Sequence, residues 1–399
     1  MILHVACLPF PTHQGTQAAL ASMLEASTRV GRPSHLLAYA HGAYELDAPY
    51  EIHRIPNFPE VRSVRSGPSW GKVALDARCI VETRRLAGRL QPSAIIAHHI
   101  EAALAALAAR VAPVYYVAHT SLERELPVYI SRVPARPVRS MARRLEKQVC
   151  ERAAGVAAVA PALATLLGDG VRYLPVPWSS SAVEDRVTRD EARLRLGIAP
   201  DAQVCLYAGN LDPYQGWEHL VEAISMLRRR HRNVRLLVAT ASDPAPARQQ
   251  AERLGVADAV RFSGLDSERA RMLAHAASDL AWVPRRTEGG LPVKMLDAFA
   301  RDLPVIAMKR ATAGLPLRGA CCIVSDDDPG ALAAAAGSLF EDERAGSALR
   351  DRARRYLSVH HSVQGFTTAL RHLLGDSVAS IPAKRRVPPR RAASAHRAH

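Results

Sequence analysis

The stretch from Trp282 to Met308 reads WVPRRTEGGLPVKMLDAFARDLPVIAM. An apolar run, Leu280 to Val283, ends at Pro284; two arginines, Glu288 and two glycines follow before Pro292 opens the next apolar-periodic segment. Proline suits the first turn of a helix because the N–H it lacks has no partner there. The pattern predicts a strand, a glycine-rich loop, a helix over Val293 to Ala300 and a second strand over Val305 to Ala307, which is a βαβ crossover. Lys294 and Asp297 stand three residues apart, on one helical face near that N-terminus. Unpaired N–H groups, glycines and nearby cations suit a phosphate, and an acidic residue one turn further in suits sugar hydroxyls. Alone, the segment reads equally as an ordinary crossover with capping and surface charges, so the rest of the chain decides its meaning.

The chain has 399 residues, more than the ~100–200 of one typical domain, and two domains are expected. It is 48% hydrophobic and 23% charged, as in a soluble globular protein, with a net charge of +15 that favours anionic partners. The six cysteines show no CxxC spacing and read as free thiols in a reducing compartment. Met1 to Phe10, MILHVACLPF, lacks the basic start of a secretory signal and reads as a first buried strand. No uncharged apolar run reaches the ~18–20 residues that span a bilayer, so membrane contact is expected to be peripheral and the location cytoplasmic.

Short apolar runs alternate with helical patterns throughout. Strands are predicted at Ile2 to Leu8, His35 to Ala40, Ala94 to His98, Val114 to Ala118 and Val156 to Val159, with helices such as Gln17 to Val30, Ala74 to Leu90 and Ala102 to Arg110 between them. After a Pro/Ser-rich linker the plan repeats, with strands at Val204 to Ala208, Arg235 to Ala239, Val260 to Ser263, Leu280 to Val283, Val305 to Ala307 and Cys321 to Val324. Continuous apolar strands between helices indicate parallel sheets covered on both faces. The fold class is therefore α/β: two Rossmann-like, doubly wound parallel-sheet domains facing a central cleft. The expected division is 1–177, a first domain; 178–190, a linker; 191–355, a second domain; 356–375, a last helix returning to the first domain; and 376–399, a basic tail. That tail, DSVASIPAKRRVPPRRAASAHRAH, is too polar and proline-rich to build a core of its own.

Several segments in order resemble a known family. Cys205 to Ile224 (CLYAGNLDPYQGWEHLVEAI), Arg261 to Leu265 (RFSGL), Ser278 to Arg285 (SDLAWVPR) and Gly290 to Val305 (GLPVKMLDAFARDLPV) resemble the C-terminal domain of family-4 retaining glycosyltransferases of GT-B fold. Pro9 to Gly15, Ala97 to Glu101 (AHHIE) and Val117 to Leu126 (VAHTSLEREL) resemble the strand-end loops of that family's N-terminal domain.

The resemblance implies transfer of a sugar, with retention, from a UDP- or GDP-sugar donor held by 191–355, the nucleotide-sugar-binding domain, to a saccharide, lipid-linked or small-molecule acceptor held by 1–177, the acceptor-binding domain, as in polysaccharide or glycolipid biosynthesis. It assigns His119, Arg285 and Lys294 to catalysis, and Gly15, Thr16, Gly209, Asn210, Glu288, Gly289, Gly290, Leu291 and Asp297 to donor binding. Cations and helix N-termini aimed at the departing diphosphate supply the main assistance, with no required metal or cofactor. Two positions depart from the family's pattern. Gln215 stands where many members carry a phosphate-binding lysine, which shifts the burden to Arg285 and Lys294. Glu288 and Asp297 are separated by eight residues rather than seven; Asp297 is carried over as the ribose ligand and Glu288 as a contact to the donor sugar.

Three further features have bland readings. His98 and His99 occupy adjacent strand positions that point to opposite faces, so a zinc site there is not expected. Asp326, Asp327 and Asp328 precede Pro329 and an alanine-rich helix, where aspartates cap and complement the dipole. Arg132 to Arg152 forms a basic amphipathic pattern that either packs its stripe of Val138, Met141, Leu145 and Val149 on the core or rests on an anionic membrane, such as the inner face of a plasma membrane. No nucleic-acid motif is present, so nucleic-acid binding on a degenerate scaffold is the alternative rather than the expectation, as is a sugar epimerase or phosphorylase of the same fold.

Overall fold

A computed structural model describes residues 1–12, 14–42, 46–61, 64, 67, 69–130, 133–178, 187–288 and 290–375. Seven strands form the first sheet: β1 (Ile2–Pro9), β2 (Ser34–Tyr39), β3 (Glu51–Ile55), β4 (Ala94–His98), β5 (Val114–Ala118), β6 (Gly155–Ala158) and β7 (Arg172–Tyr173), in the order β3-β2-β1-β4-β5-β6-β7. Six form the second: β8 (Gln203–Ala208), β9 (Val234–Ala239), β10 (Val260–Ser263), β11 (Leu280–Val283), β12 (Val305–Met308) and β13 (Cys322–Val324), in the order β10-β9-β8-β11-β12-β13. Every pairing is parallel. These are the two doubly wound sheets the alternation predicted.

The central strands are buried along their length because helices cover both faces, which is why their sequences run apolar rather than alternating. Each sheet reverses its winding once, between β1 and β4 and between β8 and β11. Ligands of such sheets bind beyond the strand C-termini at that switch point. Here the loops after β1, β4, β5, β8 and β11 all reach one cleft between the domains.

Strands β3 and β7 escaped the sequence reading. The first is a short edge strand, EIHRI, with only Ile55 fully buried, and the second has two residues. The last helix expected over 356–375 is instead divided between two, Glu343–His360 and Val363–Leu374. The break is local: Ser362 caps the second helix by accepting the Gly365 N–H at 3.1 Å, while the buried His361 ring sits 2.7 Å from the Val176 carbonyl oxygen. The second helix packs against β6, β7 and the helix Gly15–Arg29 of the first domain. All six cysteines are free thiols.

Candidate active site

The interdomain cleft has a volume of about 750 Å³, large enough for a nucleotide-sized ligand. Two helix N-termini meet across it. Helix Gly15–Arg29 follows the loop after β1, helix Val293–Ala300 follows the loop after β11, and a side chain at Gly15 would come within 3.3 Å of Val293. A glycine there lets the two ends approach, so both sets of unpaired N–H groups face the same space.

Lys294 lies in this space with its ammonium largely buried. Its Nζ donates to Gln215 Oε1 at 2.8 Å and sits 4.2 Å from the centre of the Tyr207 ring. Burial, reinforced by nearby Arg285, lowers its pKa to about 7. Gln215 is held in turn, its Nε2 donating to Asn210 Oδ1 at 2.9 Å, while Asn210 Nδ2 donates to Asp212 at 2.9 Å. Gly209 has a positive φ of 156°, and a Cβ there would stand 2.7 Å from Lys294 Nζ. Gly209 and Asn210 therefore shape the pocket of the lysine.

Arg285 is 8% exposed. Its Nε donates to Thr287 Oγ1 at 2.9 Å, its Nη2 lies 3.6 Å from Glu125 of the first domain, and the guanidinium stands 5.6 Å from the Tyr214 ring centre. Burial pushes the Glu125 carboxyl up, against the pull of Arg285. Gly290 is required by close packing, since a Cβ would meet the Arg285 guanidinium at 3.0 Å and the His119 carbonyl oxygen at 3.3 Å.

Asp297, one turn into the helix, is 7% exposed and lies among three basic side chains: Arg301 at 3.2 Å, His275 at 3.4 Å and Arg271 at 3.7 Å. Burial alone would raise its carboxyl, but His275, Arg271 and Arg301 outweigh it and hold the group below its ordinary range. It is an ionised acceptor at the cleft wall, suited to hydroxyl groups.

His119 ends a buried chain of rings. His4 Nδ1 lies 2.9 Å from His98 Nε2, and His98 Nδ1 lies 3.1 Å from His119 Nε2. Burial keeps all three rings neutral, the His4 pKa falling to about 3. His4 Nε2 has no partner, and a bare ring nitrogen loses less there than a buried N–H does. The proton of His4 therefore sits on Nδ1, each ring donates to the next, and His119 carries its own proton on Nδ1. His99 does not lie on the opposite face of the strand. It begins the helix His99–Ala109 with a positive φ of 68° and stacks on His119 at 4.8 Å.

Gly15, Thr16, His119, Gly209, Asn210, Arg285, Leu291, Lys294 and Asp297 all line the cleft. Glu288 is not among its described lining residues. Its side chain is 44% exposed and pairs with Arg124 of the first domain at 2.5 Å, so it serves as a bridge between domains here. Gly289 lies outside the described residues. Sequence reading did not single out Glu125 or the Lys72–Glu101 ion pair, 2.6 Å long, on the first-domain wall; Glu101 and Glu125 lie within the quoted strand-end loops, but their partners are far away in sequence. The aspartate triplet is structural: Asp328 caps by accepting the Ala331 N–H at 2.9 Å, Asp326 accepts the Arg310 N–H at 2.8 Å, and Asp327 pairs with Arg310 at 2.6 Å.

The basic helix is Ala135–Arg152, and Arg132 lies outside the described residues. Val138 and Val149 are buried in the domain and Leu145 is partly so, leaving Met141 as the exposed member of the stripe. Arg136, Arg139, Arg143, Arg144 and Lys147 face outward. The tail, 376–399, also lies outside the described residues. No helix among the described residues is long and apolar enough to cross a membrane.

Known proteins resemble this chain in sequence and in fold. The family model described as Glycosyltransferase Family 4 matches residues 15–176, and that described as Glycosyl transferases group 1 matches residues 202–342, one for each domain. The chain belongs to the family-4, group 1 glycosyltransferases of GT-B fold. Among curated relatives, D-inositol 3-phosphate glycosyltransferase of Corynebacterium glutamicum strain R is 31% identical over 170 residues, covering 40% of each chain. The chain thus spans about two fifths of the length of that relative. Sucrose-phosphate synthase from Thermosynechococcus elongatus has the same fold, with a TM-score of 0.74 and 16% identity over 94% of this chain and 98% of the other. So does Anabaena HepE in complex with UDP-glucose, with a TM-score of 0.73 and 17% identity over 94% and 99%.

Proposed function

We propose that this protein transfers a sugar, with retention of anomeric configuration and without a required metal, from a UDP- or GDP-sugar to a saccharide, lipid-linked or small-molecule acceptor. One observation carries this reading: two helix N-termini, one from each domain, meet in the cleft beside Lys294 and Arg285, with the ionised Asp297 one turn deeper. Cleavage of a glycosyl–phosphate bond builds negative charge on the leaving diphosphate and positive charge on the sugar. Preorganised cations and N–H groups lower the first cost in a water-poor site. Lys294 and Arg285 stabilise the diphosphate, Asp297 accepts the ribose hydroxyls, and His119 donates through Nδ1 to the sugar or acceptor. Glu125 and the Lys72–Glu101 pair, on the opposite wall, bind the acceptor's hydroxyls. The relative named for D-inositol 3-phosphate supports a small polar polyol as one acceptor class.

The test is a panel of nucleotide sugars with purified protein in chelator, followed by thermal shift and nucleotide release, with NMR of any product to read the anomer. A shift and slow hydrolysis with one donor base support the reading. The absence of any response to every nucleotide sugar overturns it.

A further inference from the structure

A second cluster lies at the other end of the first sheet. His35 follows the start of β2, Glu51 starts β3, and His53 stands two residues along. The strands pair with His35 opposite Glu51 and Leu37 opposite His53. Residues two apart on a strand, and residues directly opposite on a neighbour, share a face, so all three side chains stand on one side. The cleft lies beyond the far ends of these strands. From His35 to Tyr39 the strand advances about 13 Å at ~3.3 Å per residue.

The donor atoms converge. His35 Nδ1 is 3.0 Å from His53 Nε2 and 3.3 Å from Glu51 Oε2, and His53 Nε2 is 3.6 Å from that same oxygen. Zinc bonds nitrogen and carboxylate oxygen at about 2.0–2.1 Å, so the corners of its tetrahedron are roughly 3.3 Å apart. The observed triangle has that size. With neutral rings, the three lone-pair atoms share one proton at most, which leaves the site rich in acceptors. We propose that His35, Glu51 and His53 form a three-ligand site for a divalent late first-row metal ion, zinc foremost, with the fourth position open to solvent. Two imidazoles and a carboxylate suit such ions over magnesium or calcium. Glu51 is 72% exposed and supplies the compensating charge. Strand β3 is the sheet's edge, and the ion would staple it to β2, protecting an otherwise open edge.

The site is separate from the proposed donor chemistry, and its test has its own readout. Full-length protein freed of metal by chelator is titrated with Zn²⁺ by calorimetry and with Co²⁺ by visible absorption. The expected result is a Co²⁺ ligand-field band and a Zn²⁺ equivalent that Glu51→Gln and His53→Gln each weaken beyond tenfold, losing a ligand costing more than the roughly tenfold of a lost supporting partner. Glu51→Gln changes an exposed side chain, so metal-free melting equal to wild type is expected and this variant decides alone if His53→Gln does not fold. A nucleotide-sugar thermal shift unchanged in Glu51→Gln keeps the two sites distinct. Zn²⁺ binding of undiminished stoichiometry and affinity in Glu51→Gln, or no binding by wild type at micromolar Zn²⁺, overturns the proposal; the 16 histidines of the chain make this control essential.

Discussion

Gln215, at the end of a single 3-10 turn, and Lys294, in the first turn of the helix Val293–Ala300, are joined by a hydrogen bond of 2.8 Å although 79 residues apart, with the glutamine oxygen accepting from the ammonium. A neutral side chain thus holds in place the cation that faces the proposed diphosphate. Removing the cation in Lys294→Ala is expected to slow transfer by about 10²–10³-fold, the cost of losing one preorganised charge-stabilising donor. Gln215→Ala leaves the cation but frees it, and a smaller loss of about tenfold is expected. Gln215→Glu is the sharper variant: its carboxylate pairs with Lys294 and competes with phosphate, so UDP or GDP should bind more weakly than to Gln215→Ala. Calorimetric Kd values that rank Glu tighter than Ala would remove the phosphate role from Lys294.

The lowered pKa of Lys294, about 7, gives donor binding a pH signature. A bound diphosphate favours the protonated form and raises that pKa. Affinity is therefore full below pH 7 and falls above it, by at most about tenfold per pH unit, until the pH passes the raised value. Stability without ligand moves the other way. Because the folded pKa lies below the unfolded value of about 10.4, the unfolded chain binds more protons between the two, and this residue's contribution to Tm rises with pH above 7. Lys294→Met should flatten both profiles, measured by titrating nucleotide and by melting from pH 6 to 9.

Much of this architecture was legible in the chain. Strands such as Ala94–His98, Val114–Ala118 and Leu280–Val283 are short, apolar but for His98, and bounded by turn residues, because burial on both faces demands it. Lys294, Arg285 and Asp297 could be located because helix starts, cations and glycines leave a local pattern. What stayed hidden depends on distant neighbours. Nothing near Glu288 in sequence reveals Arg124, which draws it to the domain boundary. The strand ends at His98 as the pattern predicts, but nothing near His99 reveals that the chain turns there into a helix and lays its ring on His119. Strand β3 was missed because an edge strand alternates weakly, with His53 and Arg54 where a central strand would be apolar.

Asp297 has a second role that substitution should expose. Its carboxylate balances Arg271, His275 and Arg301. Asp297→Asn keeps the shape but strips the balancing charge from a buried basic cluster, and a stability loss of about 3 kcal/mol is expected. The folded carboxyl titrates below its unfolded value, so it stabilises the fold above about pH 3.9 and the contribution fades as pH falls through the folded pKa. The variant should therefore melt several degrees lower at neutral pH and converge on wild type in acid. Equal melting temperatures at pH 7 would mean that the basic cluster needs no counter-charge.

The helix Ala135–Arg152 presents Arg136, Arg139, Arg143, Arg144 and Lys147 to solvent while Val138 and Val149 stay in the core. Electrostatic attraction is then the main force available toward a membrane surface, at about 1 kcal/mol per basic side chain near anionic lipid. The expected behaviour is sedimentation with vesicles containing phosphatidylglycerol, none with phosphatidylcholine alone, and release by salt as the Debye length shrinks to about 3 Å at 1 M. Replacing Arg139, Arg143 and Arg144 by glutamate reverses the sign of that face and should abolish binding without lowering Tm by more than a degree or two. Arg143 has an ion pair with Glu123 at 3.1 Å, but it is 70% exposed and worth little. Binding that survives both the substitutions and high salt would require an apolar contact with the membrane, for which the stripe of this helix offers Met141 alone.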